Sequence, residues 1–417
     1  MDADGRARFA EQLTELRDQA GLSLAGVATA AHVARGYVHH IEHGHRWPTQ
    51  PVAKALDDAL DAGGALLAAW EVADALPRAA AVPADPEDRE RVALAARHPR
   101  RVDTATVTAL ADVLAATRRL EDQLGCAAVL PGIRSNRALA RTLLADARPP
   151  IRDRVGALAG ELHQYLGWLL AETGHIEQAR AEFDAALALG LESDDPDLTS
   201  LALSFKGHLA WMRDDPHGVI ALSRGARRDK RIFIAQHAYN AHQEARGWAM
   251  AGEPAEVDLI LGCAEELAER TVARQADVPP NMYWYGSGFF TLQRGLTWHT
   301  LGDPRFAERA AKELTKVVRE LPDAERHSEW AAIFTVAAAE ALTTAGEAER
   351  AVAQARQALA VCRATKSTRL ARALHRAHTQ MWETWPTHPA VRELGDEVRP
   401  LSGARTVATR RTGPVQR

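Results

Sequence analysis

Cysteine is scarce in this 417-residue chain: three thiols, Cys126, Cys263 and Cys362, far apart and odd in number. That argues against a disulfide framework and a CxxC-type metal knuckle, and leaves small buried thiols in a reducing compartment as the expectation. Aromatic residues make up only 6%, while Ala, Leu, Arg and Glu are plentiful, a composition that favours helices. No apolar run approaches the roughly 18 residues of a membrane span, and the opening MDADGRARFAEQ is charged with no apolar stretch behind it. Neither a membrane contact nor a signal peptide is expected, and the protein reads as cytoplasmic. Also missing are a Gly-rich phosphate loop, a nucleophile elbow and a metal triad, so the chain is expected to be no enzyme and to need no cofactor. Acidic pairs such as Asp57-Asp58 read as solvated helix faces.

What is present is helical periodicity, which makes the expected fold class all-α. Residues 1–75 read as short helices broken at Gly21, near His32, and at Gly44, Pro48 and Gly63-Gly64, a compact domain of about five helices. Residues 76–102 hold prolines and alternating charge blocks and read as a linker, with Asp85-Pro86 placed to cap one short helix. From 103 to 398, long helical patterns follow one another, joined by the turns ETGHIEQ, RDDPHG, MAGEPAE, TLGDPR and TTAGEAE. Taking Gly174, Asp214, Gly252, Gly302 and Gly346 as turn markers, the intervals are 40, 38, 50 and 44 residues, the period of stacked helical hairpins in a solenoid. Residues 399–417, rich in Arg and without acid, read as a disordered basic tail.

The stretch RGYVHHIEHGHRWPT, Arg35 to Thr49, places His39, His40, His43 and His45 within seven residues. Two short helices fit the segment LSLAGVATAAHVARGYVHHIEHG. Leu24, Val27, Ala28 and Ala31 form one apolar stripe; Val33, Tyr37 or Val38, and Ile41 form a second that packs on it. Arg35, Gly36, His39, His40 and His43 are then on the outward side of the second helix, the arrangement of a helix-turn-helix whose second helix enters a major groove. His39 and His43 stand four apart on one helical face, as a zinc pair would, but no third ligand and no HExxH glutamate accompany them, so no metal is expected.

On Leu22-Ser23, Ala28, the VARGYVHHIEHG run, Pro48 and the VAKALDDAL helix, the chain from about 13 to 56 resembles the phage-repressor-type helix-turn-helix domains of the XRE family. The resemblance implies that Ala34 starts the recognition helix and that Arg35, Gly36 and His40 contact bases. It also implies that Arg17 and Glu42 form a structural ion pair between the first helix and the end of the recognition helix. His39, His43 and Arg46 complete the expected contact set on double-stranded DNA. The sequence departs from the family pattern at Leu24, where a polar residue usually grips phosphate, at His32, where the turn glycine usually stands, and at Ala34, which offers no capping side chain. Residues 1–75 carry eleven Asp or Glu against six Lys or Arg, so the domain is acidic, although the sign within 21–54 is locally positive.

The first hairpin, LGWLLAETGHIEQARAEFDAALALG, carries Gly167, Gly174, Ala179, Phe183 and Ala186 at offsets that resemble the tetratricopeptide pattern. Counting back from each turn marker gives the residues expected to line the concave groove: Gln164, Trp168, His208, Tyr239, His242, Arg246, Phe289 and Glu340. Trp211 lies one turn on from His208, and the aromatic stretch VPPNMYWYGSGFF adds Tyr283 and Trp284 as one wall. Such a set suits a peptide or small-molecule effector. The stretches VLAATRRLEDQLG, ELHQYLGWLLAETG and PPNMYWYGSGFFTLQRGL resemble actinobacterial XRE-type regulators with tetratricopeptide-like C-terminal halves. That likeness implies a transcriptional regulator acting as a homodimer on a palindromic operator; the alternative is a protein-interaction scaffold with a vestigial helix-turn-helix.

Overall fold

The computed structural model describes residues 3–46, 48–67, 70, 83, 85–274, 277–365 and 367–402. The fold is all-α: among the described residues there are helices and turns and no strand.

Four helices open the chain: α1 (Ala3–Gln19), α2 (Leu24–Ala30), α3 (Arg35–Glu42) and α4 (Gln50–Ala59). Ser23 caps α2, its hydroxyl accepting from the Gly26 amide at 3.1 Å. The turn between α2 and α3 runs through His32, which takes a left-handed φ of +54° without being glycine. Phe9, Leu13, Val27, Val38, Ile41 and Leu56 are buried together as one core. Of the two candidates for the inner stripe of α3, Val38 is fully buried and Tyr37 only partly. Asp57 departs from the solvated role expected of it. Its carboxylate is buried and accepts from the amides of Gly64, at 2.7 Å, and Leu66, at 2.7 Å, satisfying donors that helix starts leave open. Trp70 closes the same core, its indole NH donating to the Pro48 carbonyl at 2.8 Å.

The segment expected to be a linker divides. Residues 71–82 lie outside the described set, but from Pro86 the chain belongs to the second core: α5 (Pro86–Arg97), capped by Asp85, buries Val92 and Ala95 with Leu110, Leu114 and Val129. Those partners sit on α6 (Thr104–Leu124) and α7 (Cys126–Asp146). Five helical hairpins follow: α8 (Ile151–Glu172) with α9 (Ile176–Glu192), α10 (Pro196–Met212) with α11 (Pro216–Ala226), α12 (Ile234–Met250) with α13 (Pro254–Val272), α14 (Ser287–Leu301) with α15 (Pro304–Glu320), and, after the short α16 (Asp323–Arg326), α17 (Glu329–Thr344) with α18 (Ala348–Thr365). Helices α19 (Thr368–Thr384) and α20 (Pro389–Val398) finish the array. Arg399–Ser402, expected to begin a disordered tail, forms a 3-10 turn whose Leu401 packs on the last core; residues 403–417 lie outside the described set.

All five turn markers have positive φ: Gly174 +87°, Asp214 +56°, Gly252 +74°, Gly302 +68° and Gly346 +84°. A left-handed residue ends the inner helix of each hairpin and reverses the chain, which is why glycine recurs there. Close approach within a hairpin rests on small residues. A Cβ on Gly167 would stand 2.5 Å from the Phe183 ring, so α8 and α9 meet at a distance only glycine permits.

The solenoid curls until its ends meet. Arg369 of α19 pairs with Glu172 of α8 at 2.5 Å, and Arg372 donates to the Glu172 carbonyl at 3.2 Å. Tyr283, before α14, donates to Asp122 of α6 at 2.5 Å. The inner helices therefore enclose a shared interior rather than an open trough.

Candidate functional site

Helix α3 presents its polar face outward. Arg35, Gly36, His39, His40, His43, His45 and Arg46 are all exposed. Ala34 occupies the N-cap position and supplies no side-chain cap, so the amides of the first turn of α3 receive no side-chain acceptor from it. The His39 and His43 rings stack at 4.1 Å, and His43 Nδ1 lies 2.8 Å from the His39 carbonyl. The next turn folds back on the helix end, with the amides of His45 and Arg46 both donating to the His40 carbonyl. These contacts gather the imidazoles and Arg46 onto one exposed surface. Among the described residues, no three His, Cys, Asp or Glu side chains converge as a metal site.

Arg17 and Glu42 are brought together from α1 and α3: the guanidinium Nε donates to the Glu42 carboxylate at 2.7 Å, and Nη1 reaches the Leu22 carbonyl at 3.2 Å. Glu42, at the last turn of α3, is nearly buried, so this pair fixes the angle at which α3 leaves the domain. The hydrogen bond to Glu42 raises the Arg17 pKa further above its already basic value.

Residues 8–70 match the helix-turn-helix domain family. No curated protein and no solved structure matched the chain. No helix among the described residues is long and apolar enough to cross a membrane.

The groove candidates are found in the solenoid interior, and several are more deeply placed than a groove lining requires. Gln164, His208, His242, Arg246 and Glu340 are buried; Trp168, Trp211, Tyr239, Tyr283, Trp284 and Phe289 are partly exposed. Most are committed to internal contacts. His208 Nε2 meets Glu172 at 3.2 Å, His299 and Arg376 hold Glu340 at 3.1 and 3.0 Å, and His242 Nδ1 faces the Ala238 carbonyl at 2.8 Å. Tyr239, Tyr285, Phe289 and Phe290 form one aromatic cluster, so Phe289 is part of a core rather than a free wall. Tyr283 serves the closure through Asp122, and its ring lies edge-on to Trp284 at 5.4 Å.

Counting from the turns found Arg246 and Glu340 but missed Glu172, Arg369, Glu121 and Asp122, which share this interior. Burial alone would raise the Glu172 carboxyl, but Arg369 and His208 outweigh it and hold the group below its ordinary value. Burial depresses His208, with Glu172 opposing, and pushes His242 down to about 4. On α6, burial pushes Glu121 up to about 7, with the neighbouring Asp122 and Glu329 carboxylates adding to it and a Cys126 hydrogen bond opposing. Burial likewise takes Asp122 up to about 6. Cys126 is buried and donates to Glu121 at 3.2 Å, and burial raises its thiol well above the usual range. A Glu just before a Thr-Gly turn, as at Glu172, was the available sequence signal, since an acid at the inner end of an apolar helix needs a partner.

Proposed function

We propose that the protein is a sequence-specific DNA-binding transcriptional regulator, a cytoplasmic homodimer that reads a palindromic operator with α3 and senses a peptide or small molecule in a tetratricopeptide-like solenoid. The observation that carries this reading is the exposed basic and imidazole face of α3, held at a fixed angle by the Arg17–Glu42 pair. Within it, Arg35 at the helix start is the residue to pair with a guanine edge, His40 contacts a neighbouring base, and Arg46 holds phosphate. The XRE-type resemblance of residues 13–56 and of the C-terminal half supports the dimer and the sensing role. Catalysis is no part of the reading.

The test is selection of bound DNA from genomic fragments with the full-length protein, followed by binding of the selected sites at two salt concentrations. A regulator retains specific fragments and loses affinity as salt rises, because displaced counterions drive phosphate contacts. Arg35→Ala should weaken specific binding by about 1–3 kcal/mol. Equal retention by wild type and Arg35→Ala would remove Arg35 from the reading face, and fragment binding indifferent to salt would favour a scaffold.

A further inference from the structure

Two guanidinium groups, one buried and one partly buried, stand at opposite ends of one aromatic row inside the solenoid. Arg369 lies over Trp168 at 5.4 Å; Trp168 adjoins His208 at 5.4 Å; His208 adjoins Trp211 at 5.2 Å; and Arg246 lies over Trp211 at 5.1 Å. The two ends are treated differently. Arg369 has Glu172 as a counter-ion, whereas Arg246, 3% exposed, has none among the described residues: its Nη1 donates to the neutral Gln293 amide oxygen at 3.1 Å, and its Nε and Nη2 meet no acceptor in hydrogen-bonding geometry there. Burial lowers the guanidinium's pKa, and what opposes it is a loose approach of the Tyr239 hydroxyl rather than a carboxylate.

An unpaired buried cation is costly, and arginine remains protonated under physiological conditions. The two vacant donors lie on one edge of the planar group, the edge that grips two oxygens of a carboxylate or phosphate at once. Trp211 and Tyr239 beside it are themselves only partly buried.

We propose that Arg246 is the anchor of an oxyanion site in the solenoid interior, and that the molecule sensed there carries a carboxylate or phosphate group. The vacant Nε–Nη2 edge binds the oxyanion, Gln293 holds the guanidinium in place through Nη1, and the Trp211–His208–Trp168 row offers stacking to an attached planar body. This deepens the sensing role proposed above and rests on it for its biological meaning, but not for its measurement.

The experiment follows thermal unfolding of the full-length protein, without DNA, as sodium benzoate or inorganic phosphate is raised to tens of millimolar against sodium chloride at matched ionic strength. A filled site should raise Tm saturably by roughly 2–4 °C over chloride with at least one of the two; which one responds identifies the oxyanion. Arg246→Lys, which keeps the charge and loses the two-toothed edge, should abolish the difference. Gln293→Glu supplies an internal counter-charge; it should raise the basal Tm and blunt the anion response, and it serves as the test if the lysine variant does not fold. Identical melting of wild type in all three salts would overturn the proposal, as would an undiminished response in either variant. An anion response with unaltered operator binding would instead leave the site standing and remove the link to DNA.

Discussion

Glu121 is pushed toward its protonated form by its surroundings. Tyr165, Cys126 and the closing helices crowd its carboxyl, and burial lifts its titration to about 7. Because the folded value lies above the ordinary one, the folded state binds a proton that the unfolded chain has released. The resulting stabilisation is present below the ordinary glutamate range and is lost as pH rises through about 7. Glu121→Gln removes the ionisation and keeps one of the two acceptor oxygens, so its pH dependence, not its absolute stability, is the readout. Its melting temperature minus that of wild type should therefore climb between about pH 5 and about pH 8. A difference that stays level across that range would show that Glu121 does not titrate where its burial places it.

At the scale of elements, the hairpins depend on contact between bare backbone and an aromatic ring. Gly167 faces Phe183, whose ring is fully buried, and an added methyl would sit 2.5 Å from the nearest ring carbon. Alanine improves helix propensity by about 1 kcal/mol, but forcing the ring aside costs roughly 1–3 kcal/mol, and the ring has no free space in which to turn. Gly167→Ala should lower stability in a urea titration; a gain would mean that α8 and α9 separate at little cost. This pairing was legible in the sequence because hairpin geometry is local: left-handed turn residues and small-against-large offsets fall within one repeat. The helix-turn-helix was legible for the same reason, whereas the Arg17–Glu42 contact, 25 residues apart, was expected only from the XRE-type resemblance. The buried role of Asp57 was not, because the amides it caps lie seven to ten residues ahead and nothing in the Asp-Asp pair marks which member turns inward.

The whole molecule differs from an open solenoid in joining its first and last repeats. Arg372 reaches Glu172 across 200 positions of chain, a separation at which no periodicity signals contact. That is why the sequence pointed to a concave groove without its closure, and why Glu172, Glu121 and Asp122 were not among the residues expected to line it. An open array melts as a sum of neighbouring repeats; a ring of mutually bracing hairpins should unfold together. Arg369→Ala, which strips the buried Glu172 of its ion pair with α19, should lower the urea m-value as repeats begin to melt separately. An unchanged m with only a lower midpoint would mean that the end-to-end contact adds stability without binding the array into one unit.

The thiol of Cys126 lies among these closing contacts, buried and bonded to Glu121. While the ends stay joined it is shielded and protonated, and a thiolate is what alkylating reagents attack. Its rate of modification by a maleimide is consequently a clock on how often the ring breathes, already installed in the natural chain.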